Sequence, residues 1–267
     1  MELFQRVTAL LLSALVIHTP MLGQQTAGTA QALTAQSVLQ QSLVTLVGNQ
    51  SLTDITLTGS ARRIAGSDDE SGTVTLKALS SGATRLDFSF PSGPRSEFKS
   101  FASNAPMGSW SGPDGVFHPI ANHNLINDWG WFPLFTIAAV SNSQNYSLSL
   151  VGTETRNGEA VVHISVSQQV PTLSSDAAAM FQHLSQIEIF LDATTLLPAS
   201  IAYNIHPDND ALLDIPVELR FGDYRAVSGS QIPFHIQRCI NNSLALDLQF
   251  QSAALNTGIT AAQVGAQ

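Results

Sequence analysis

The stretch IHPDND and the aspartate that follows it place one histidine and three carboxylates close together in the sequence. These residues are His206, Asp208, Asp210 and Asp214. Such a set could hold a metal ion or act as an acid/base pair, because zinc accepts histidine nitrogen and hard cations need several oxygens. The stretch lacks the regular acid spacing and the glycine of a calcium-binding loop, and Pro207 with Asp and Asn neighbours is typical of a turn. We therefore predict no metal site but a polar turn between two strands, with His206, Asp208 and Asp210 facing water.

The remaining histidines are scattered along the chain. Those beyond the N-terminal region are His118, His123, His163, His183 and His235. His118 and His123 are five residues apart with Asp128 as the one nearby carboxylate, which is a weak pattern for a metal site. His163 and His235 lie in alternating segments, where a hydrogen-bonded strand residue is the expected role.

Motifs for nucleophilic catalysis and for cofactors are absent from the sequence. GSWSG resembles the glycine frame of a nucleophile elbow but places Trp110 at the nucleophile position. Cys239 is the only cysteine and lies in an alternating run, so we interpret it as a packed apolar side chain. The sequence has no dinucleotide-binding glycine motif and no Walker A loop. We expect no catalytic residue and no cofactor; a hydrolase with dispersed carboxylates stays open as a third hypothesis.

An aromatic segment, NDWGWFPLFTIAAV at 127–140, is the strongest candidate for a binding site. It carries two of the three tryptophans and interrupts the alternating pattern on either side. One interpretation is a crossover helix packed into the core. The other is a lid over an apolar cavity, because ligand pockets are lined mostly by aromatic and aliphatic groups. With the strand TRLDFSF as the floor, the candidate ligand-binding residues are Trp129, Trp131, Phe132, Phe135, Leu86, Phe88 and Phe90.

Composition excludes several classes of partner. The 267 residues are 44% hydrophobic and 12% charged, so a sizeable core is available. The formal charge is −9 and the only lysines are Lys77 and Lys99, which argues against nucleic acid as a partner. The sequence also has no Lys/Arg-rich run that would form a patch for anionic lipid surfaces.

The N-terminus has the layout of a secretory signal peptide over 1–30. Arg6 precedes an apolar stretch at 7–17, and Pro20 and small residues follow. We expect cleavage between 23 and 30, with Gly28-Thr29-Ala30 as the best site. The only cysteine, Cys239, lies far from the apolar stretch, so we expect an exported protein, periplasmic or extracellular, without a lipid anchor.

The spacing of apolar residues predicts the helices and strands that position these candidate residues. Residues 31–47 have helical spacing ahead of Gly48, and 55–120 alternate as five or six strands. A hairpin around Asn157-Gly158, a short helix in SSDAAAMFQHL and further strands complete the chain. We predict one α+β domain over 31–267: a strongly curved antiparallel sheet of about ten or eleven strands, covered by an N-terminal helix and short mid-chain helices.

Two hairpins resemble a known family. FLDATTLLPASIAYN and FGDYRAVSGSQIPFHIQ are similar to consecutive hairpins of the lipoprotein-carrier, LolA/LolB-like, fold. The resemblance implies an incomplete barrel whose concave face, lidded by helices, holds acyl chains. In the carriers an arginine on a barrel strand helps to latch the lid; Arg62 and Arg63 lie early in the strands, but no local motif assigns that role to them.

These observations predict a non-enzymatic binding protein for a lipid, an acyl chain or another apolar ligand, with a role in envelope lipid or lipoprotein handling. The alternative is an envelope-assembly or sensor module that binds a protein partner. A lipid binder should have an apolar cavity beneath 127–140. A partner-binding module should have a filled core and an exposed apolar patch.

Overall fold

The computed structural model describes residues 33–48, 50–100, 106–128, 130–170 and 173–265. The predicted signal peptide and its cleavage site lie outside the described residues. None of the helices within the described ranges is long and apolar enough to cross a membrane.

Strands dominate the part of the chain that the structure describes. They are β1 (Asp54–Ala65), β2 (Asp68–Leu79), β3 (Thr84–Phe90), β4 (Gly93–Ser100), β5 (Met107–Ser111), β6 (Phe117–Pro119), β7 (Tyr146–Arg156), β8 (Glu159–Gln168), β9 (Ile187–Asp192), β10 (Pro198–Ile205), β11 (Ile215–Val227), β12 (Ser230–Ile240) and β13 (Ser243–Leu255). The helices are α1 (Ala35–Val47), α2 (Pro133–Ser141), α3 (Ser175–Leu184) and α4 (Ala261–Val264), with a 3-10 turn at Asn122–Leu125.

All these strands belong to one antiparallel sheet, in the order β6-β5-β4-β3-β2-β1-β13-β12-β11-β10-β9-β8-β7. The sheet therefore has two arms that extend from the β1–β13 pair: an N-terminal arm, β1–β6, and a C-terminal arm, β7–β13. The sheet is curved but not closed, so the predicted α+β incomplete barrel is confirmed. The predicted count of ten or eleven strands was too low: six of the 13 strands, β1–β6, lie where five or six were predicted, and seven more, β7–β13, follow them.

The local sequence explains why buried and exposed side chains alternate along a strand and where the chain turns. In β3, Leu86, Phe88 and Phe90 are buried while the residues between them are more exposed. At the β7–β8 turn, Asn157 and Gly158 both have positive φ, of 51° and 87°. That is the conformation of a type I′ turn, which matches the twist of the strands it joins.

The helices cover the sheet as predicted. Thr34 caps α1 through its side chain, which accepts a hydrogen bond from the Ser37 backbone, and Gly48 ends the helix with a positive φ. Helix α1 packs against α2 and β12. Pro133 begins α2, where its missing N–H leaves no hydrogen bond unmade. Helix α4 was not predicted.

The main core lies between the helices and the sheet as one continuous cluster of buried side chains from both arms and from α1 and α2. In strand β4 the charged side chains face the main core and the apolar side chain faces away from it. Its Phe98 points away from this core and packs in a smaller cluster with Leu79, Ala83 and Val264. The neighbouring Glu97 and Lys99 point inward instead, and this placement forms the site described next.

Candidate functional site

Six of the seven predicted ligand-binding residues lie in the main core between the helices and the sheet. Trp129 lies outside the described residues. The other six, Trp131, Phe132, Phe135, Leu86, Phe88 and Phe90, are each at most 9% exposed and belong to the main core. Phe132 and Phe135 contact edge to face, with ring centroids 5.2 Å apart. The described side chains Trp131, Phe132 and Phe135 of the 127–140 segment thus belong to the buried core.

An open cleft of about 330 Å³ lies where the two arms face each other, and we name it the apolar cleft. Phe88 and Phe90 line it from β3. The other large apolar side chains around it are Ile64, Trp110, Ile240 and Leu246. Three arginines and one glutamate complete its lining: Arg63, Arg95, Arg238 and Glu97. The cleft therefore combines an apolar wall with three arginines, each paired with a carboxylate: Arg63 and Arg95 with Glu70, and Arg238 with Glu97.

A buried charged network borders the apolar cleft. Lys99 Nζ lies 2.8 Å from Glu97 Oε1 and also donates to Asp128. Arg238 Nη1 lies 3.1 Å from Glu97 Oε2. The indole nitrogen of Trp131 donates to Glu97 Oε1 at 2.8 Å. Lys99 is only 2% exposed, and a charge so deeply buried requires partners of this kind.

This network joins the two arms without pairing their strands. Glu97 and Lys99 come from β4 in the N-terminal arm, and Arg238 comes from β12 in the C-terminal arm. The guanidinium of Arg238 also lies over the Trp131 ring, 5.5 Å from its centroid. Arg238 therefore contacts the 127–140 segment. Arg62, which the sequence analysis considered for the arginine that latches the lid, instead bonds to Asp69 on the neighbouring strand.

Electrostatics keep the network charged. Burial alone raises the pKa of Glu97, but the nearby positive charges of Lys99 and Arg238 outweigh burial and lower that pKa to about 2. Burial alone would lower the pKa of Arg238, but the charge of Glu97 outweighs it and raises that pKa. Burial and the charge of Asp128 raise the pKa of Tyr203 well above its usual value. The carboxylate and guanidinium therefore stay ionised at neutral pH.

The lowered pKa of Glu97 predicts an acid-sensitive contribution to stability. The folded pKa of about 2 lies below the ordinary value of 4.5, so the stabilisation is complete above 4.5 and is lost as pH falls toward 2. The shift corresponds to about 3 kcal/mol. Urea unfolding at pH 7 and pH 3 measures the loss, and the share of Glu97 is the difference from a Glu97→Gln variant. An equal loss in both proteins would contradict the prediction.

Hydrogen-bond donors remain unused around the apolar cleft. The Nε atoms of Arg95 and Arg238 are buried and have no hydrogen-bond partner among the described residues. The terminal nitrogens of both side chains do have partners, Glu70 for Arg95 and Glu97 for Arg238. The two guanidinium groups are thus only partly satisfied by the protein.

The IHPDND stretch joins β10 to β11, as predicted, but its histidine does not face water. Asp208 and Asp210 are exposed, as expected. His206 is 3% exposed, and its Nε2 lies 3.0 Å from Asp214 Oδ1. The expectation for His206 was wrong because side chains from elsewhere cover it: the rings of His123 and His183 lie against it.

The other histidines lie where the pattern predicts. His163 and His235 are strand residues bonded to carboxylates, Glu188 and Asp247 respectively. His118 stacks on Trp110 with ring centroids 4.4 Å apart. His118 and His123 thus occupy different environments.

Sequence reasoning missed the charged network. One signal was present: Glu97 and Lys99 are two residues apart in an alternating run, so they share one face of a strand. The neighbouring residues do not indicate whether that face points into the core or toward solvent. The third member of the network, Arg238, lies about 140 residues away in the sequence.

The geometry defines a class of protein: a half-barrel with helices packed on an unclosed sheet. Solved structures share this fold. A domain described as an outer membrane lipoprotein-sorting protein, from Vibrio parahaemolyticus, is 13% identical with a TM-score of 0.54 over 86% of this chain and 95% of that chain. A LolA superfamily protein from Nitrosomonas europaea is 10% identical, with a TM-score of 0.51 over 84% and 94%. A DUF1329 family protein from Desulfovibrio piger is 10% identical, with a TM-score of 0.54 over 86% and 95%.

The chain has a LolA-like fold, as the two hairpin motifs suggested. No family model matches the sequence, and no curated protein matches it.

Proposed function

We propose that the chain is an exported, non-enzymatic protein that binds a lipid acyl chain in the apolar cleft, with the polar head of the ligand at the arginines. The observation that carries the proposal is the meeting of Phe88, Phe90 and Leu246 with Arg95 and Arg238 in one open cleft. The signal-peptide layout of the sequence supports export, and the lipoprotein-sorting description of one structural neighbour supports a role in envelope lipid handling.

The free energies of apolar burial and of hydrogen bonding favour a ligand with both an apolar chain and an acidic or carbonyl head. Burial of eight methylene groups contributes roughly 6 kcal/mol before the cost of ordering the ligand. That alone gives an affinity in the range between millimolar and micromolar. A hydrogen bond to a charged group adds about 1.5–3 kcal/mol, and the side chains of Arg95 and Arg238 line the cleft.

The test places a larger side chain in the apolar cleft. Ile64 lines the apolar cleft from β1 and is only partly buried, so an Ile64→Trp variant should fold. We expect it to bind a fluorescent medium-chain fatty acid at least about tenfold more weakly, because the indole occupies the space of the acyl chain. Displacement titration on the purified protein measures this. Native mass spectrometry and lipid extraction of protein from its own envelope should show a co-purifying lipid.

The control is Val151→Trp, which adds the same side chain at an exposed position on β7, outside the apolar cleft. It should bind like the unaltered protein. Absence of fatty-acid binding in the unaltered protein, together with no co-purifying lipid, would overturn the proposal.

A second function, binding of an envelope protein, is favoured by one observation. The hairpin of β5 and β6 at the edge of the sheet exposes a group of large apolar side chains: Met107, Trp110, Val116 and Phe117. Trp131, Phe132 and Phe135 of the 127–140 segment are buried in the main core, which also supports a partner-binding module. The fatty-acid titration separates the two functions, because a partner-binding module leaves the probe unbound.

A further inference from the structure

Three side chains from distant segments meet at one end of the C-terminal arm. His183 lies in the last turn of α3, His206 directly follows β10, and Asp214 directly precedes β11. The Nε2 atoms of His183 and His206 lie 3.1 Å and 3.0 Å from the same oxygen, Asp214 Oδ1. The ligand atoms of all three residues lie within 4.8 Å of one another.

The spacing fits a transition metal. Ligands at about 2.0–2.1 Å from a tetrahedral zinc ion are roughly 3.3 Å apart, which is close to the separations between Asp214 and the two histidines. Two imidazoles and one carboxylate are also a donor set that zinc accepts, and they leave a coordination position open. Calcium and magnesium need more oxygens than this site offers.

The site is held in place before any ion binds. The backbone N–H of His206 donates to Asn124 Oδ1, and Asn124 Nδ2 donates to the His206 carbonyl, both at 2.7 Å. The His206 side chain is fully buried. Its rotamer is thus fixed by the surrounding protein, and ordering it costs little on binding.

A simple hydrogen-bonded cluster explains only part of this arrangement. It satisfies one nitrogen each of His183 and His206, but His206 Nδ1 and His123 Nε2 are buried without a partner among the described residues. The rings of His123 and His206 lie 6.0 Å apart. Buried polar atoms without partners are rare in folded proteins. Hydrogen bonds among the three side chains therefore do not satisfy all the ring nitrogens around this site.

The site has a route to solvent. A cleft of about 260 Å³, here the polar cleft, is lined by His183 and Asp214 and by the polar side chains of Gln186, Glu188 and Asn204. It shares no lining residue with the apolar cleft. A metal ion could therefore enter without disturbing the proposed lipid site.

We propose that His183, His206 and Asp214 bind one zinc ion that faces the polar cleft, with the fourth coordination position open. Two residues of the IHPDND region, His206 and Asp214, contribute to the site, but the third ligand comes from α3 rather than from Asp208 or Asp210. The site is independent of the proposed lipid binding.

The experiment is a zinc titration of the purified full chain in competition with a colorimetric chelator. We expect one zinc ion per chain in the unaltered protein, with no competition from millimolar magnesium. Asp214→Asn and His183→Ala should each weaken binding by at least about tenfold, since even outer-shell changes have effects of that size. Both residues are partly exposed, so both variants should fold. Cobalt in place of zinc should give the strong visible absorption of a tetrahedral site.

The matched control is Asp208→Asn, which removes an exposed carboxylate from the same connection and should leave zinc affinity unchanged. Should one of the ligand variants not fold, the other decides the question. The proposal is overturned by stoichiometry well below one zinc per chain. It is also overturned by equal affinity in Asp214→Asn and Asp208→Asn.

Discussion

Replacement of Glu97 by glutamine is expected to destabilise the folded protein by about 3–5 kcal/mol, the range for breaking a buried ion pair. Glutamine keeps the shape and can still accept the Trp131 hydrogen bond, so the change is mainly one of charge. Lys99 and Arg238 would then share Asp128 as their remaining buried carboxylate in the network. Two buried cations with one counter-charge are costly, because burial in the protein interior removes the water that solvates them.

Urea unfolding at pH 7 measures this effect. The control is Glu159→Gln, the same substitution at an exposed position of β8, which should change stability by less than about 0.5 kcal/mol. A loss in Glu97→Gln no larger than in the control would show that the network contributes no net stabilisation. The variant should also lack the acid-dependent step that the lowered pKa of Glu97 predicts.

Truncation of Phe132 to alanine is expected to cost about 3–5 kcal/mol, as for a fully buried aromatic residue. Phe132 is 1% exposed and contacts Phe135 at the start of α2. This prediction separates the two interpretations of the aromatic segment. A core residue loses stability on truncation, whereas a lid residue over a cavity mainly loses ligand affinity.

The experiment compares Phe132→Ala with Phe117→Ala, which removes an exposed ring on β6. Thermal or urea unfolding should show a large loss in the first variant and almost none in the second. Unchanged stability of Phe132→Ala, combined with loss of fatty-acid binding, would assign the segment to a lid.

Local patterns predicted much of the fold. The alternation in β3, the Asn157-Gly158 turn and the Gly48 helix end each follow from the preferences of a few adjacent residues. The two hairpin motifs at 187–237 identified the LolA-like fold, which the solved structures confirm. The number of strands was underestimated in the part of the chain that follows α2, where β7–β13 make seven.

The candidate sites were harder to predict, because they depend on which face of a strand is inside. Phe98 is the apolar residue of its strand, so the pattern points it toward the main core. The structure points it toward α4 and places Glu97 and Lys99 inside. His183 and Asp214 likewise meet only because α3 returns to the end of β10, and no spacing rule predicts that contact.

The strand order has a consequence for how the protein folds. The β1–β13 pair sits in the middle of the sheet but joins residues almost 200 positions apart, such as Thr58 and Ser252. Each arm can form from neighbouring hairpins, whereas this seam must wait for the end of the chain. We therefore expect the arms to form early and the seam to close late, because contacts between distant residues slow folding. Until then both seam strands present open edges, the state in which such sheets aggregate most readily.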